Sequence, residues 1–230
     1  MLANVSHDLK TPLTMIKAYA EMIRDISGEV KSKRDKHTNV IIEEADRLTL
    51  LVNDILNLSR LQSSVDILEK STFNISELAE NVLYRFENVV ENQGYVIEKE
   101  VESNLFVFAD EKKIEEVIYN LVSNSINYTG EDKTIKFYLK KSGNSAILEV
   151  LDSGKGMDKE QIETIWEKYY RVSEIHHRAV KGTGLGLSIV KTILDAHGLK
   201  FGVISKKDVG SNFYVEFPLV AENNEVKNNG

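Results

Sequence analysis

The run Lys181-Gly182-Thr183-Gly184-Leu185-Gly186-Leu187-Ser188 stands immediately before an apolar helical pattern that extends to His197. Free amides at the start of such a helix, together with its positive dipole end, are placed to hold phosphate oxygens. The spacing fits neither of the two common phosphate loops. No Gly-Lys-Ser/Thr triplet closes it as in a P-loop, and it lies far from the first strand, where a dinucleotide fingerprint belongs. A phosphate-holding run this late in the chain calls for a different nucleotide fold.

Two upstream segments supply the rest of such a site. Asp152-Ser153-Gly154-Lys155-Gly156-Met157 follows a strand pattern, which puts Asp152 at a strand end, where ligands commonly bind. A carboxylate there can accept from an exocyclic amine such as that of adenine, and Gly154 and Gly156 let the backbone come close to the base. The helix expected from Asp110 through Asn127 carries Asn120, Asn124 and Asn127 on one face at four- and three-residue steps. Asparagine oxygens suit a magnesium ion that also holds phosphate oxygens, because Mg2+ takes few protein ligands and keeps several waters. Singly, each segment reads as a turn or a capping amide; beside the 182–187 run the nucleotide reading outweighs that.

At the other end of the chain, Ser6-His7-Asp8-Leu9-Lys10-Thr11-Pro12-Leu13 sets a histidine beside a carboxylate. Residues 1–27 read as a helix, with Val5, Leu9, Leu13, Ile16, Ala20 and Ile23 on one face. Pro12 removes the bond to the Asp8 carbonyl and is expected to kink the helix and loosen the turn that carries His7. Gly28 ends this helix, and Ser32-Lys33-Arg34-Asp35 reads as a polar connection into a second helix reaching about Ser63. There Ile41, Leu48 and Ile55 recur every seven residues, with Leu51 and Leu58 on an adjacent line, the seam of a coiled coil or bundle. Helices of roughly 40 Å in a single hairpin leave half of each apolar stripe wet. A four-helix bundle built from two chains is the expected solution, with packing against the chain's own second half as the alternative.

From about residue 66 the texture is mixed. Phe73-Asn74-Ile75 reads as a short strand, Ser76 as the cap of a helix to about Gln93, and Tyr95 to Val101 as a strand. Thr134 to Lys140 and Ala146 to Leu151 read as strands around a turn at Ser142-Gly143-Asn144, and two strands close the chain after His197. The expectation is a helical hairpin over residues 1–65, an α/β sandwich with a mixed sheet over 66–220, and a polar, disordered tail over 221–230.

Composition narrows the function classes. Among 230 residues 42% are apolar, enough for a core in each domain, and the net charge of −7 leaves no footprint for nucleic acid. The absence of cysteine removes disulfides and thiolate metal sites and fits a reducing compartment. No apolar run approaches the roughly 18 to 20 residues of a membrane span, so this segment requires no membrane contact. An opening only six residues before His7 suggests a start in mid-helix, with a sensor expected upstream. His176 and His177 are adjacent and lack an acidic or thiol partner, which makes them poor metal ligands; His37 and His197 read as structural or exposed.

Over residues 1 to about 220 the chain resembles the catalytic core of a bacterial sensor histidine kinase. Five motifs of that family appear in order: the H box Ser6 to Leu13, the N box Asn120 to Tyr128, the G1 box Asp152 to Met157, the F box Trp166-Glu167-Lys168-Tyr169-Tyr170-Arg171, and the G2 box Gly182 to Leu187. The resemblance implies a dimerisation and phosphoacceptor bundle followed by an ATP-binding domain of the GHKL (Bergerat) fold shared with gyrase and Hsp90 chaperones. It implies that His7 attacks the γ-phosphate of Mg-ATP while Asp8 orients the ring and takes the proton from its other nitrogen. Asn124 is then the Mg2+ ligand, Asn120 lies near the phosphates, Asp152 reads adenine and Tyr128 packs on the base. Residues 166 to 186 form a lid in which Tyr170, Arg171, Lys181, Thr183 and the Gly182-Gly184-Leu185-Gly186-Leu187 run surround the nucleotide.

The same resemblance implies transfer from His7 to an aspartate on the receiver domain of a response regulator. It also implies removal of that phosphate, for which Asp8 and Thr11 match the family's pattern, with Thr11 orienting a water. The source implied is the cytoplasmic part of a bacterial membrane sensor. Related ATPases of the fold carry a glutamate where Asn120 stands, and an amide cannot take a proton from water, so hydrolysis is disfavoured. One departure is Asn127, where the family has lysine or arginine. It keeps open a scaffold or phosphatase that binds nucleotide weakly, next to the other rival, an ATPase of the same fold.

Overall fold

The computed structural model describes residues 2–63, 68–167 and 185–222. They belong to two compact units, Met1–Gln62 and Ser63–Gly230.

In the first unit, α1 (Leu2–Met22) includes Pro12 without a break in the helix and leads into a π-helical turn, Ile23–Ser27, and α2 spans Lys31–Ser63. The connection is therefore residues 28–30, and Ser32 to Asp35 are the opening turn of α2 rather than the linker expected. Lysine and arginine are good helix formers, and Arg34 Nη1 closes the turn by donating to the Gly28 carbonyl at 3.1 Å. The wide π turn brings Ser27 Oγ to the Met22 carbonyl at 3.0 Å, to which it donates, and to His37 Nδ1 at 2.9 Å. His37 also lies against Tyr19, with ring centroids 5.4 Å apart. The hairpin does not cover its own apolar side chains: Leu13, Ile26 and Ile42 are 58%, 77% and 53% exposed.

The second unit is built on a five-stranded sheet in the order β2-β4-β5-β7-β6. Its strands are β2 (Val96–Val101), β4 (Thr134–Ser142), β5 (Ser145–Asp152), β6 (Lys200–Lys206) and β7 (Gly210–Pro218). The β2–β4 pair is parallel and the other pairs are antiparallel, so the sheet is mixed. Along β5 the side chains alternate, with Ala146, Leu148 and Val150 buried and Ile147, Glu149 and Leu151 half-exposed. The same alternation buries Phe137 and Leu139 of β4 and Phe213, Val215 and Phe217 of β7. Against this face pack α5 (Glu111–Tyr128) and α7 (Gly186–His197), whose Ile114, Val117, Ile118, Leu121, Ile189, Val190, Ile193 and Leu194 are each within 1% of full burial.

Three features depart from the sequence reading. A four-residue strand, β3 (Phe106–Ala109), pairs with β1 (Ser71–Asn74) in a separate two-stranded sheet; it is too short to register as a pattern. The helix expected from Ser76 to Gln93 is two, α3 (Ile75–Tyr84) and α4 (Glu87–Gln93), and its cap is Asn74, whose Oδ1 accepts from the Ser76 amide at 3.1 Å. Ser76 is drawn inward instead: its hydroxyl donates to the Glu102 carbonyl at 2.6 Å and accepts from the Leu105 amide at 3.2 Å. Finally, a short α6 (Lys159–Thr164), started by a capping box of Asp158 and Gln161, interrupts what reads as loop.

The start of α5 and the end of α7 are tied by a histidine. Asp110 caps α5 through the Lys113 amide at 3.2 Å and accepts from the Glu69 amide at 3.0 Å, while its own amide donates to His197 Nε2 at 3.0 Å. The other ring nitrogen, Nδ1, lies 2.8 Å from the Ile193 carbonyl, so the neutral Nδ1–H tautomer satisfies both contacts. Burial, with a smaller contribution from Lys70, holds the His197 pKa below its usual value. The unfolded chain therefore binds the proton first, and stability is lost as pH falls below about 6.5. Protonation costs roughly one hydrogen bond, about 1 kcal/mol, or about 2–4 °C in melting temperature for a chain of this size. Melting curves at pH 7 and 5 should show that excess fall in the wild type and not in His197→Gln.

Candidate nucleotide site

The platform of the site is α5. Its buried face is Ile114, Val117, Ile118, Leu121, Val122 and Ser125, and Asn120, Asn124 and Asn127 are half-buried along the margin of that face. Asn120 Nδ2 donates to the Glu116 carbonyl at 2.8 Å, which fixes the amide with its oxygen toward the start of α7. The approach is close: a Cβ on Gly186 would lie 2.9 Å from Asn120 Oδ1. Leu185, at the N-cap position of α7, offers no side-chain oxygen to the first amides of that helix, which remain available to an anion. The amides of Asn124 and Asn127 have no hydrogen-bond partner among the described residues. A half-buried amide oxygen of this kind, at Asn124 or Asn127, is chemically suited to an oxygen-seeking cation that retains waters.

Asp152 closes β5 and is 9% exposed. Its Oδ1 accepts from the Gly154 amide at 2.9 Å, and the Ser211 backbone bonds it from the neighbouring strand. Burial outweighs both bonds and pushes the carboxyl up from 3.8 to about 6. At neutral pH the group is thus a largely desolvated carboxylate held by two backbone donors.

The glycines of this loop have a second reason beyond approach to a base. A Cβ on Gly154 would sit 2.1 Å from the Tyr128 carbonyl, so the loop is pressed onto the C-terminal end of α5. Gly156 has φ +59°, and a Cβ there would sit 2.0 Å from the Lys206 carbonyl in the β6–β7 hairpin. The Met157 amide and the Lys155 carbonyl pin the same loop to that hairpin, through Ser205 Oγ at 2.9 Å and the Asp208 amide at 2.6 Å. Gly156→Ala combines a strained φ with a backbone clash and should cost about 3 kcal/mol or more, read as a lowered urea midpoint with unchanged slope.

The second unit thus sets Gly186 at the start of α7 against Asn120 in the middle of α5, and Gly154 after β5 against Tyr128 at the end of α5 and against Asp152, with Asn124 between them along α5, Gly156 against the β6–β7 hairpin, Leu185 buried and Leu187 half-buried. Trp166 packs edge-on against Phe201 and Phe213, with centroids at 5.1 and 6.0 Å. Tyr170, Arg171, Lys181, Gly182, Thr183, Gly184 and the His176-His177 pair lie outside the described residues. His7, Asp8 and Thr11 belong to α1 in the first unit, Thr11 exposed and one turn beyond His7. Among the described residues there is no cluster of three histidine or acidic side chains that could hold a metal, and no helix long and apolar enough to cross a membrane. Reading by motif missed Ser153, Thr129 and Asp132, which join the loop to the end of α5; only the polar character of the residue between Asp152 and Gly154 hinted at them.

Comparison with known proteins gives one family match within each end of the chain, the first ending close to the boundary between the two units. Residues 1–64 match the His Kinase A (phospho-acceptor) domain, and residues 109–221 match the histidine kinase-, DNA gyrase B- and HSP90-like ATPase family. The sensor protein kinase WalK of Staphylococcus epidermidis is 29% identical over 219 residues, 94% of this chain but 36% of its own length. The chain therefore spans about a third of the length of that relative. The catalytic domain of histidine kinase ThkA superposes with a TM-score of 0.56 at 31% identity over 65% of this chain and 95% of that domain. ThkA in complex with the response regulator TrrA matches 96% of this chain and 61% of that one, with a TM-score of 0.76 and 29% identity.

Proposed function

The chain belongs to the histidine kinases, and from that premise we propose that it phosphorylates His7 with Mg-ATP and passes the phosphoryl group to an aspartate on a response regulator. The observation that carries this reading is the order of the two matches, a phospho-acceptor domain containing His7 followed by an ATPase domain containing Asn124 and Asp152. In the transfer, a ring nitrogen of His7 forms a bond to the γ-phosphorus as the bond to the bridging oxygen breaks and ADP leaves. Asp8 orients the ring and takes the proton from its other nitrogen, and imidazole, whose two nitrogens exchange protons near neutral pH, suits the acceptor role of His7. Asn124 would hold Mg2+, which spreads the charge of the transferring group. Asn120 lies beside the phosphates and supplies no base for water, which favours transfer over hydrolysis. Asp152 accepts from the adenine amine, Tyr128 packs on the base, and Tyr170, Arg171, Lys181 and Thr183, which lie outside the described residues, would contribute to nucleotide binding.

The exposed Leu13, Ile26 and Ile42 support pairing of two hairpins into a four-helix bundle, making the working unit a homodimer. ThkA, solved with TrrA, supports a response regulator as the partner. Thr11, one turn beyond His7, would with Asp8 serve the phosphatase activity by orienting a water that attacks the regulator's phosphoaspartate and releases inorganic phosphate. We infer that the chain is the cytoplasmic part of a membrane sensor. The test is incubation with γ-labelled ATP and Mg2+: label stable to alkali and lost in acid is phosphohistidine and supports the reading. ATP bound without label would favour an ATPase or a phosphatase-dominant protein instead.

A further inference from the structure

We propose that Ser153 is the positioning residue for base recognition, the hydroxyl that locks the Asp152 loop onto the end of α5. The inference rests on the reading of Asp152 as the adenine acceptor. Ser153 Oγ donates to Asp132 Oδ1, accepts from the Gly130 amide at 3.2 Å and lies 3.0 Å from Thr129 Oγ1. Its partners are themselves fixed. Thr129 is 7% exposed and its hydroxyl donates to the Thr134 carbonyl at 2.8 Å, while Asp132 Oδ1 also accepts from the Thr134 amide at 3.3 Å. One side chain thus makes two hydrogen bonds to the turn that follows α5, through Gly130 and Asp132, with the Thr129 hydroxyl in contact and its own proton committed to Thr134.

The consequence falls on Asp152. Ser153 sits between Asp152 and the Gly154 amide that bonds the carboxylate, so fixing Ser153 fixes the angle at which that amide meets Oδ1. The same turn holds the Tyr128 carbonyl against Gly154. Asn120 and Asn124, on the helix that ends in this turn, are thereby held at a set distance from Asp152. The hydroxyl network is the ruler between the base-reading acid and the phosphate side of the site. Ser153 acts through the angle at which the Asp152 carboxylate is held, so its loss should weaken recognition of the base more than the hold on the phosphates.

ADP and IDP, which differ at the six-position of the purine and share their phosphates, separate these effects. Titrated with Mg2+ into the full chain, Ser153→Ala should bind ADP about tenfold more weakly, bind IDP within about twofold of wild type, and so lose most of the preference for adenine. Ser153→Thr, which keeps the hydroxyl, should restore the preference. Equal weakening of ADP and IDP by Ser153→Ala is the mark of general destabilisation and overturns the proposal, as does an unchanged preference. Asp152→Asn serves as the control: if it too leaves the preference unchanged, the reading of Asp152 itself fails, and the inference about Ser153 with it.

Discussion

His7→Ala incorporates no label from γ-labelled ATP, at least about 10³-fold below wild type, while its affinity for ADP stays within about twofold. The expectation follows from the division of labour between the two units. His7 lies on α1 of the first, whereas Asn120, Asn124 and Asp152 lie in the second. Removing the acceptor leaves the nucleotide site whole. Asn124→Ala is expected to invert the pattern: the acceptor stays, the amide proposed to hold the magnesium ion is lost, and labelling slows by about 10²- to 10³-fold. Stability of the label separates histidine from serine or threonine, since a phosphorus–nitrogen bond survives alkali and breaks in acid. Wild-type labelling of His7→Ala, or label that survives acid, would remove His7 from the mechanism.

The residues that speak chemically were legible in the sequence because their spacing coincides with their elements. Asn120, Asn124 and Asn127 step along one margin of α5, Asp152 ends β5, and Gly186 begins α7, each where periodicity and capping put it. The hairpin was legible for a similar reason, since a heptad seam and one glycine suffice to write two helices and a turn. What escaped was set by contacts between distant segments. Ser76 has the form of a helix cap, yet its hydroxyl goes to Glu102 and Leu105, which β2 and β3 bring to it across some 26 to 29 residues. His197 read as structural or exposed; its bond to the Ile193 carbonyl is local to α7, but the partner that makes it structural, the Asp110 amide, is brought to it by the packing of α7 on α5. Gly154 and Gly156 were read as leaving room for a base; they also leave room for the Tyr128 and Lys206 carbonyls, neighbours that only the fold supplies.

Asp152→Asn is expected to make the protein more stable and less able to bind, and the two effects come from one cause. The native carboxyl titrates at about 6 and the unfolded one near 3.8, because burial disfavours its charge. Between those values the folded state holds a proton that the unfolded chain releases, so this group's contribution to stability falls as pH rises from about 4 to 6. Above that range the protein carries a buried anion at a cost of order 1 to 3 kcal/mol. Asparagine keeps an oxygen for the Gly154 amide and removes the charge. The melting temperature at pH 7 should therefore rise by about 2–4 °C per kcal/mol recovered, and at pH below 4, where the wild-type carboxyl is already neutral, the two proteins should melt together. Adenine nucleotide binding should meanwhile fall about 100-fold, since a charge-assisted acceptor is exchanged for a group that also presents a donor to the purine amine. Equal melting temperatures at both pH values would show that the carboxylate is solvated where the geometry buries it, and unchanged binding would take Asp152 out of the nucleotide site. A gain in stability joined to a loss of binding identifies Asp152 as a residue kept for its ligand at the expense of the fold.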